Sequence, residues 1–279
     1  MKIYRIQSGI VLNDQENYYL LENEDWDSFF NDDALLNKAE AKIRALKPMS
    51  GDTSRLLESQ LMAPIEKQEI WASGVTYYNS KLGRQEESRD SSGGAFYAHV
   101  YEAERPELFY KGNVFRTAKP GGMVRIRQDS TWNVPEPELT LAITSSGKII
   151  GYTIGNDMSS RSIEGENPLY LPQAKTYDGS AGLGPCIYVT DEPLDKTTRI
   201  RLVIYRGESV IFEGETRLSE MKRSPEELAS FLYRECSFQY GCFLMTGTGI
   251  VPGKDFTLNK GDEIHISIDS IGTLINIVN

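Results

Sequence analysis

The sequence predicts an α+β protein that is rich in β-strands, with a small α/β N-terminal domain over residues 1–68 and a larger β-rich domain over residues 69–279. Two observations favour this division. Between residues 26 and 46 the apolar residues recur at helical spacing. From Ile70 onward, short β-forming runs alternate with glycine and proline. A chain of 279 residues is also long enough to bury a sizeable core.

The N-terminal part contains candidates for both strand and helix. The runs MKIYRIQSGIVL and NYYLLE are predicted to form short strands. The run WDSFFNDDALLNKAEAKIRAL has a helical period, and its apolar positions are Phe29, Phe30, Leu35, Leu36, Ile43 and Leu46. The following stretch, KPMSGDTSRLLESQLMAPIEKQ, carries proline, glycine and polar residues, and we expect a linker or an interface segment there.

The second part contains two predicted hairpins and one predicted helix. RIRLVIYRGESVIFEGET alternates apolar and polar residues around a turn at residues 206–209, and DEIHISIDSIGTLINIV turns near Gly272. In SPEELASFLYREC, Ser224 suits an N-cap, Pro225 the first helical position and Glu227 the capping box. We therefore expect β-strands with one or two helices packed on them.

Composition excludes some classes of partner. The chain has 40 acidic and 30 basic residues and a formal net charge of −10, which argues against nucleic acid or an anionic membrane as the main partner. Its three cysteines, Cys186, Cys236 and Cys242, lack zinc-site spacing and are expected to be reduced thiols. No signal region or membrane-length apolar run is visible, so we expect a cytoplasmic location.

Three acids stand where the sequence otherwise predicts a core. Glu136 and Glu138 lie in the strand-forming run VPEPELTLAI, and Asp157 lies in the run IIGYTIGND that returns after the turn TSSGK. Residues two apart on a strand project to the same side. Asp157 is about as far from the turn as the two glutamates, so a hairpin would bring all three carboxylates to one point.

Converging carboxylates repel one another unless a cation neutralises them. Oxygen ligands alone favour Mg²⁺, with Mn²⁺ or Ca²⁺ as possible substitutes, and three protein ligands would leave coordination positions open for water or substrate. The alternative is that Glu136 and Glu138 lie on the solvated face of an amphipathic strand. The pattern by itself leaves both interpretations open.

The chain resembles the fumarylacetoacetate hydrolase superfamily from about residue 70 to residue 279. The resemblance rests on four motifs in a typical order: VPEPELTLAI, GYTIGNDMSSR, AKTYDGSAGLGP and MTGTGIVPG. It implies that Glu136, Glu138 and Asp157 bind Mg²⁺ and that the β-rich domain is a mixed β-roll. It also implies pairing of chains through that domain, as a homodimer or homotetramer.

The runs STWNVPEPEL, GNDMSSRSIEGENPLYLPQAK and ERPELFYK resemble the branch of the family that dehydrates 2-keto-3-deoxy sugar acids, such as 2-dehydro-3-deoxy-D-arabinonate. The resemblance then implies that Lys175 and Glu107 act on the proton and the hydroxyl group that leave. Lys175 is the candidate base at C3 and Glu107 the candidate acid at the C4 hydroxyl, but the sequence leaves open which residue is the base and which is the acid. Without the resemblance, Lys175 could instead neutralise the acids by a salt bridge, and Glu107 could be a surface carboxylate.

One departure from the hydrolytic members is informative. They commonly carry a histidine soon after a GxNY element, whereas the corresponding stretch here, SGVTYYNSKLGRQEES, has none. The chain has two histidines: His265 fits a structural position in an alternating strand, and His99 is a weak catalytic candidate. The missing histidine favours elimination over hydrolysis of a C–C bond.

Four further residues are candidates for binding the 2-keto acid substrate: Tyr77, Arg84, Thr248 and Asp178. Thr248 lies in the glycine-rich TGTG turn, where backbone N–H groups can approach an anion. Arg84 could equally be a surface residue, and Asp178 could orient Lys175 or cap a turn. The polar stretch 83–96 is expected to form either a lid over the site or a plain surface loop.

Three functional hypotheses follow. The first is a magnesium-dependent dehydratase of a 2-keto-3-deoxy pentonate. The second is a hydrolase or decarboxylase of a diketo acid that uses the same metal. The third is a binding protein whose metal site is degenerate. The sequence does not fix the stereochemistry at C4 and C5, because a few precisely placed polar groups decide it.

Overall fold

A computed structural model describes residues 1–79 and 100–279 of the chain. Two sheets, here called the large sheet and the small sheet, account for most of the regular structure. In the described part of the chain, no helix has the length and apolar character needed to cross a membrane.

The large sheet is mixed and has ten strands in the order β3-β2-β1-β10-β9-β8-β13-β4-β5, with β6 paired to β10. These strands are β1 (Lys2–Ile6), β2 (Gly9–Asp14), β3 (Asn17–Glu22), β4 (Glu69–Gly74), β5 (Glu107–Gly112), β6 (Thr117–Ala118), β8 (Asn133–Ile143), β9 (Ile149–Ser160), β10 (Ala181–Tyr188) and β13 (Cys242–Met245). The pairs β13–β4 and β10–β6 are parallel, and the other pairs are antiparallel.

The small sheet has five strands in the order β12-β11-β14-β15-β7. They are β7 (Met123–Val124), β11 (Arg199–Arg206), β12 (Ser209–Arg217), β14 (Glu263–Ile268) and β15 (Gly272–Val278). Both predicted hairpins are confirmed here: β11 pairs with β12 across Gly207, and β14 pairs with β15, which begins at Gly272. Gly207 and Gly272 have φ values of +59° and +131°, which glycine adopts more readily than other residues.

Six α-helices lie wholly within the described residues: α1 (Trp26–Phe30), α2 (Leu35–Arg44), α3 (Thr53–Gln60), α4 (Arg161–Glu166), α5 (Leu171–Lys175) and α6 (Pro225–Leu232). The run predicted as one N-terminal helix divides into α1 and α2, because Asp32 lies between them and accepts a hydrogen bond from the backbone N–H of Ala34. The segment expected to be a linker or an interface contains α3. In α6, Ser224 caps the helix by accepting from Glu227 N at 3.1 Å, as predicted.

The central strands β8 and β9 are covered on both faces. One face packs on the small sheet through residues such as Leu139, Leu141 and Ile154. The other face belongs to a second core cluster, which also contains residues of β1, β2 and α1. All eleven residues of β8 are buried, so its polar side chains need partners inside the protein.

The N-terminal strands extend the large sheet, because β1 pairs with β10 through Lys2 opposite Tyr188 and Ile3 opposite Ile187. The N-terminal residues also share a core cluster with β13 and β10. The division of the chain into domains at residues 68 and 69 stays a prediction.

Candidate metal centre and active site

The three acids singled out from the sequence lie together. Glu136 is directly opposite Asp157 in the β8–β9 ladder, and Glu138 is opposite Gly155. Each acid has a carboxylate oxygen within 4.8 Å of those of the other two. Their exposed fractions are 5%, 1% and 1% for Glu136, Glu138 and Asp157. The predicted convergence is therefore confirmed, and a solvated strand face is excluded.

Three buried cations surround two of these acids. Lys175 Nζ lies 2.8 Å from Glu136 Oε2 and 3.1 Å from Asp157 Oδ2. Lys111 Nζ lies 2.6 Å from the other oxygen of Asp157, and Arg161 Nη2 lies 2.9 Å from Glu136 Oε1. Each of these two carboxylates thus contacts two cations, which offsets the repulsion between them.

Glu138 is held in a different way, because it accepts a 2.6 Å hydrogen bond from the backbone N–H of Gly247. Burial raises the pKa of Glu138 well above its ordinary value, and the negative charges of Asp157 and Glu136 raise it further. A dication bound between the three carboxylates would reverse that effect by favouring their ionised forms. The oxygen-only donor set fits Mg²⁺, with Mn²⁺ or Ca²⁺ as substitutes.

Lys111 belongs to this cluster of charges but was not singled out from the sequence. Its side chain is fully buried, and its ammonium also donates to Met158 O at 2.9 Å and to the carbonyl of Lys175. Burial lowers its pKa, while the charge of Asp157 opposes that shift. The signal that could have revealed it is a lysine within the strand-forming run ELFYKG, four residues after Glu107.

The contact between Lys111 and Asp157 shows that the large sheet curls around the site. Lys111 belongs to β5 and Asp157 to β9, and β8, β13 and β4 lie between these two strands in the sheet order. A flat sheet would hold them far apart, since neighbouring strands are about 4.8 Å apart. The curled, mixed sheet is the roll that the sequence resemblance implied.

Glu107 lies at the start of β5, opposite Gly74 of β4. Its Oε2 is shielded from solvent and would be 1.8 Å from a Cβ at position 74, so only glycine leaves room for it there. Glu107 and Phe109 alternate onto one face of β5, ahead of the register shift at Lys111, and Lys175 Nζ lies 5.8 Å from the Phe109 ring centroid. The structure therefore brings Glu107 and Lys175 to the same face of β5.

Tyr77 and Thr248 lie beside Glu138. Tyr77 is 1% exposed, and its pKa is raised first by burial and then by the charges of Glu138 and Glu220. Thr248 is 3% exposed and follows Gly247, and its hydroxyl accepts from the backbone N–H of Ile250 at 3.1 Å. Both residues are therefore buried near Glu138, and their role in binding a substrate stays a prediction.

Asp178 is not brought into this cluster. Its side chain is 76% exposed and lies 4.0 Å from Arg125 Nη1, so it does not orient Lys175 in this structure. His265 lies on β14, in the small sheet, 3.2 Å from Glu263, which agrees with the structural position expected for it. Arg84, His99 and the stretch 83–96 lie outside the described residues.

The comparisons with known proteins agree with this geometry. The sequence pattern of the family described as fumarylacetoacetate (FAA) hydrolase C-terminal matches residues 93–279. The chain is 47% identical, over 217 residues, to a probable 2-keto-3-deoxyxylonate dehydratase of Haloferax volcanii; the match spans 77% of this chain and 73% of that protein. It is 42% identical, over 218 residues and the same shares, to the 2-dehydro-3-deoxy-D-arabinonate dehydratase of Saccharolobus solfataricus.

Solved structures extend the similarity over the whole chain. A 2-keto-3-deoxy-D-arabinonate dehydratase complexed with magnesium and 2,5-dioxopentanoate superposes with a TM-score of 0.85 at 35% identity, covering 100% of this chain and 99% of that one. Its apo form gives the same TM-score and identity. The similarity therefore includes the N-terminal residues that lie outside the family match.

Proposed function

The chain belongs to the fumarylacetoacetate hydrolase family, and we propose that it dehydrates a 2-keto-3-deoxy pentonate, such as 2-dehydro-3-deoxy-D-arabinonate, to 2,5-dioxopentanoate. The observation that carries this proposal is the contact of one buried lysine with two members of a buried carboxylate trio. Lys175 Nζ lies 2.8 Å from Glu136 and 3.1 Å from Asp157, and the trio fits a hard dication.

Glu136, Glu138 and Asp157 would hold Mg²⁺. When bound, the ion acts as a Lewis acid towards the 2-keto acid, which makes the C3 hydrogens more acidic. The buried position of the trio supports this role, since electrostatic interactions are stronger where water is excluded.

Lys175 takes a proton from C3, for which its amine must be neutral. Glu107 gives a proton to the C4 hydroxyl, which leaves as water when the C3–C4 double bond forms. C5 then loses a proton and C3 gains one, which moves the double bond to C4=C5 and forms an enol. The enol gains a proton at C4 and loses its hydroxyl proton to give the C5 aldehyde, so no further reactant is needed. The ammonium of Lys175 lies beside Phe109, on the face of β5 that also carries Glu107. This placement supports a base and an acid that act on adjacent carbons of one substrate.

Tyr77 and Thr248 are proposed to bind the substrate, because both lie buried beside Glu138. The hydroxyl group of Thr248 and the N–H groups of its turn suit a carboxylate. Arg84 remains a proposed substrate ligand on the sequence alone. The exposed Asp178 has less support, since it contacts Arg125 at the surface.

The test is to incubate the purified protein with Mg²⁺ and a panel of 2-keto-3-deoxy pentonates and hexonates, and to identify products by ¹H NMR and mass spectrometry. We expect the aldehyde of 2,5-dioxopentanoate from at least one pentonate, and no turnover after chelation with EDTA. The alternative function, hydrolysis or decarboxylation of a diketo acid, would instead give cleavage products such as pyruvate, or carbon dioxide, from diketo acids.

We also propose that the protein is a homodimer or homotetramer that acts in the cytoplasm. Three highly exposed apolar side chains support association: Phe115, Met123 and Leu169, which are 88%, 62% and 82% exposed. The three free cysteines fit a reducing compartment. Analytical ultracentrifugation measures the oligomeric state, and a monomer at micromolar concentration would contradict the assembly.

A further inference from the structure

We infer that Arg223 is a positioning residue for the dehydration, because it fixes the turn that leads into β5 and thereby the place of Glu107. The part of this inference that concerns the reaction rests on the proposed function. In the chain, Arg223 lies between β12 of the small sheet and α6. Among the described residues, its hydrogen bonds and ion pairs include none of the three proposed metal ligands.

The guanidinium of Arg223 binds two consecutive backbone carbonyls. Nη1 donates to Glu104 O at 3.0 Å, and Nη2 donates to Ala103 O at 2.5 Å. Nη1 also donates to Glu227 Oε1 at 2.6 Å, four residues further along the chain. Arg223 therefore joins the start of α6 to the turn that precedes Glu107.

The chemistry of this contact requires arginine. Arg223 is 5% exposed, and burying a cation is costly unless it is paired and hydrogen-bonded. The charge of Glu227 compensates it, while the planar guanidinium reaches two carbonyls at once. A lysine ammonium is a point charge that cannot reproduce this fork, so Arg223→Lys keeps the charge and loses the geometry.

The link from this turn to Glu107 is short. The residue before Glu107 is Pro106, whose ring fixes φ and limits the freedom of the connection. The Arg105 guanidinium lies 5.7 Å from the Phe231 ring centroid, which is a second contact of the turn with α6. Glu107 then has to fit over Gly74, where there is no space for a side-chain carbon. Movement of the turn would displace the carboxyl group.

The two residues before Arg223, Met221 and Lys222, contact the chain that follows β4. Lys222 N donates to Thr76 O at 2.9 Å, and Met221 forms an isolated β-bridge with Tyr77. One short segment, Met221–Arg223, thus anchors both the chain that follows β4 and the chain that precedes β5. The segment contacts Tyr77 through Met221 and the turn before Glu107 through Arg223. We therefore expect loss of Arg223 to impair proton donation by Glu107 and to spare metal binding.

The first experiment compares wild type, Arg223→Gln, Arg223→Lys and the control Arg201→Gln, all with Mg²⁺ bound. Arg201 pairs with Glu213 at the surface, where ion pairs contribute little to stability. Hydrogen–deuterium exchange should rise at residues 101–107 in both Arg223 variants and stay at the wild-type level at residues 133–143. Unchanged exchange at residues 101–107 would overturn the inference, whether or not the protein turns over any sugar acid.

The second experiment is a double-mutant cycle with Glu107→Gln, in which the dehydration rate is followed together with exchange of the C3 hydrogens in D₂O. We expect Arg223→Gln to lower kcat about 10- to 100-fold, with C3 exchange and the Mg²⁺ dissociation constant within about twofold of wild type. In the Glu107→Gln background the same change should have no further effect. Additive losses, or equal losses of C3 exchange and dehydration, would show that Arg223 does not act through Glu107.

Discussion

Glu136 and Asp157 face each other as a directly opposed pair in the antiparallel β8–β9 ladder, and both are buried. Like charges opposite each other on neighbouring strands are destabilising. Here the ammonium of Lys175 bridges the pair at 2.8 and 3.1 Å. The site is thus built from acids that require cations, and each cation that is removed should have a measurable consequence.

Replacement of Lys111 by glutamine should destabilise the metal-free protein. Lys111 pairs with Asp157 at 2.6 Å, and both side chains are buried. Breaking a buried pair from one side costs about 3–5 kcal/mol, and Lys175 would remain as a single cation in contact with Asp157. We expect a loss of that size in the free energy of unfolding, measured by urea denaturation in EDTA. The loss should shrink with saturating Mg²⁺, because the ion then compensates Asp157.

The matched control is Lys148→Gln, since the ammonium of Lys148 donates to the carbonyl of Asp33 at the surface. Its effect should stay within about 0.5 kcal/mol. Equal effects of the two substitutions, or a Lys111→Gln loss that Mg²⁺ does not reduce, would contradict the role of Lys111 as the partner of Asp157.

Replacement of Gly247 by alanine should weaken metal binding through Glu138. Gly247 has a φ of +91°, and an added Cβ would lie 2.0 Å from Thr76 Oγ1 and 2.9 Å from Ser73 O. The backbone must shift, and the N–H bond to Glu138 is lost with it. We expect Mg²⁺ affinity to fall about 10- to 100-fold, as measured by competition with Mn²⁺ in electron paramagnetic resonance.

Gly261→Ala separates backbone strain from the close contact. Gly261 has a similar φ of +88°, but nothing lies within 4 Å of the added Cβ. The Gly261→Ala variant should therefore have the backbone strain without the close contact, and it should keep wild-type affinity for Mg²⁺. If both variants bound Mg²⁺ as wild type does, the hydrogen bond from Gly247 would have no role in the metal centre.

Lys175→Met and Glu107→Gln should stop the reaction at different steps. Lys175 is the proposed base that removes a C3 proton, so Lys175→Met should abolish both dehydration and exchange of C3 hydrogens in D₂O. Glu107→Gln should keep the C3 exchange and lower dehydration about 10²- to 10⁴-fold. ¹H NMR of recovered substrate and product measures both rates. C3 exchange that survives in Lys175→Met would assign the base to another residue.

The three thiols should differ in reactivity. Burial raises the pKa of Cys186 and of Cys242 to about 12, and both are inside the protein, whereas Cys236 is exposed. At pH 8 a chromogenic disulfide reagent should titrate one thiol quickly in the folded protein and all three after unfolding. Rapid titration of a second thiol in the folded protein would contradict the buried placement.

The same shifts predict how stability depends on pH. The unfolded thiols ionise near their ordinary value of 9.0, while the folded ones keep their protons to about 12. The unfolded state therefore loses protons first as the pH rises, and the free energy of unfolding should fall above about pH 9. Cys186→Ala should lessen that fall, as followed by urea denaturation between pH 8 and pH 10.

The sequence by itself determined the parts of this protein that are local. The two-residue spacing of Glu136 and Glu138, the turn that returns the chain to Asp157, the two hairpins of the small sheet and the cap of α6 all follow from periodicity and turn chemistry over short stretches. These features predicted a carboxylate trio. The resemblance of four motifs added the family and its magnesium ion, and the resemblance of the runs STWNVPEPEL, GNDMSSRSIEGENPLYLPQAK and ERPELFYK added the dehydratase activity. Alternation along a strand fixes which side chains share a face, so such inferences need no knowledge of the whole fold.

Only the tertiary structure decided which cations contact the acids and which residue holds the turn before Glu107. Lys111 reaches Asp157 because the large sheet curls past three intervening strands, and Arg223 reaches the turn before Glu107 from 119 residues away in the chain. Likewise, Asp178 is three residues from Lys175 in the sequence but faces the surface. These contacts depend on strand order and sheet curvature, which arise from packing between distant segments, and no local pattern of residues encodes them.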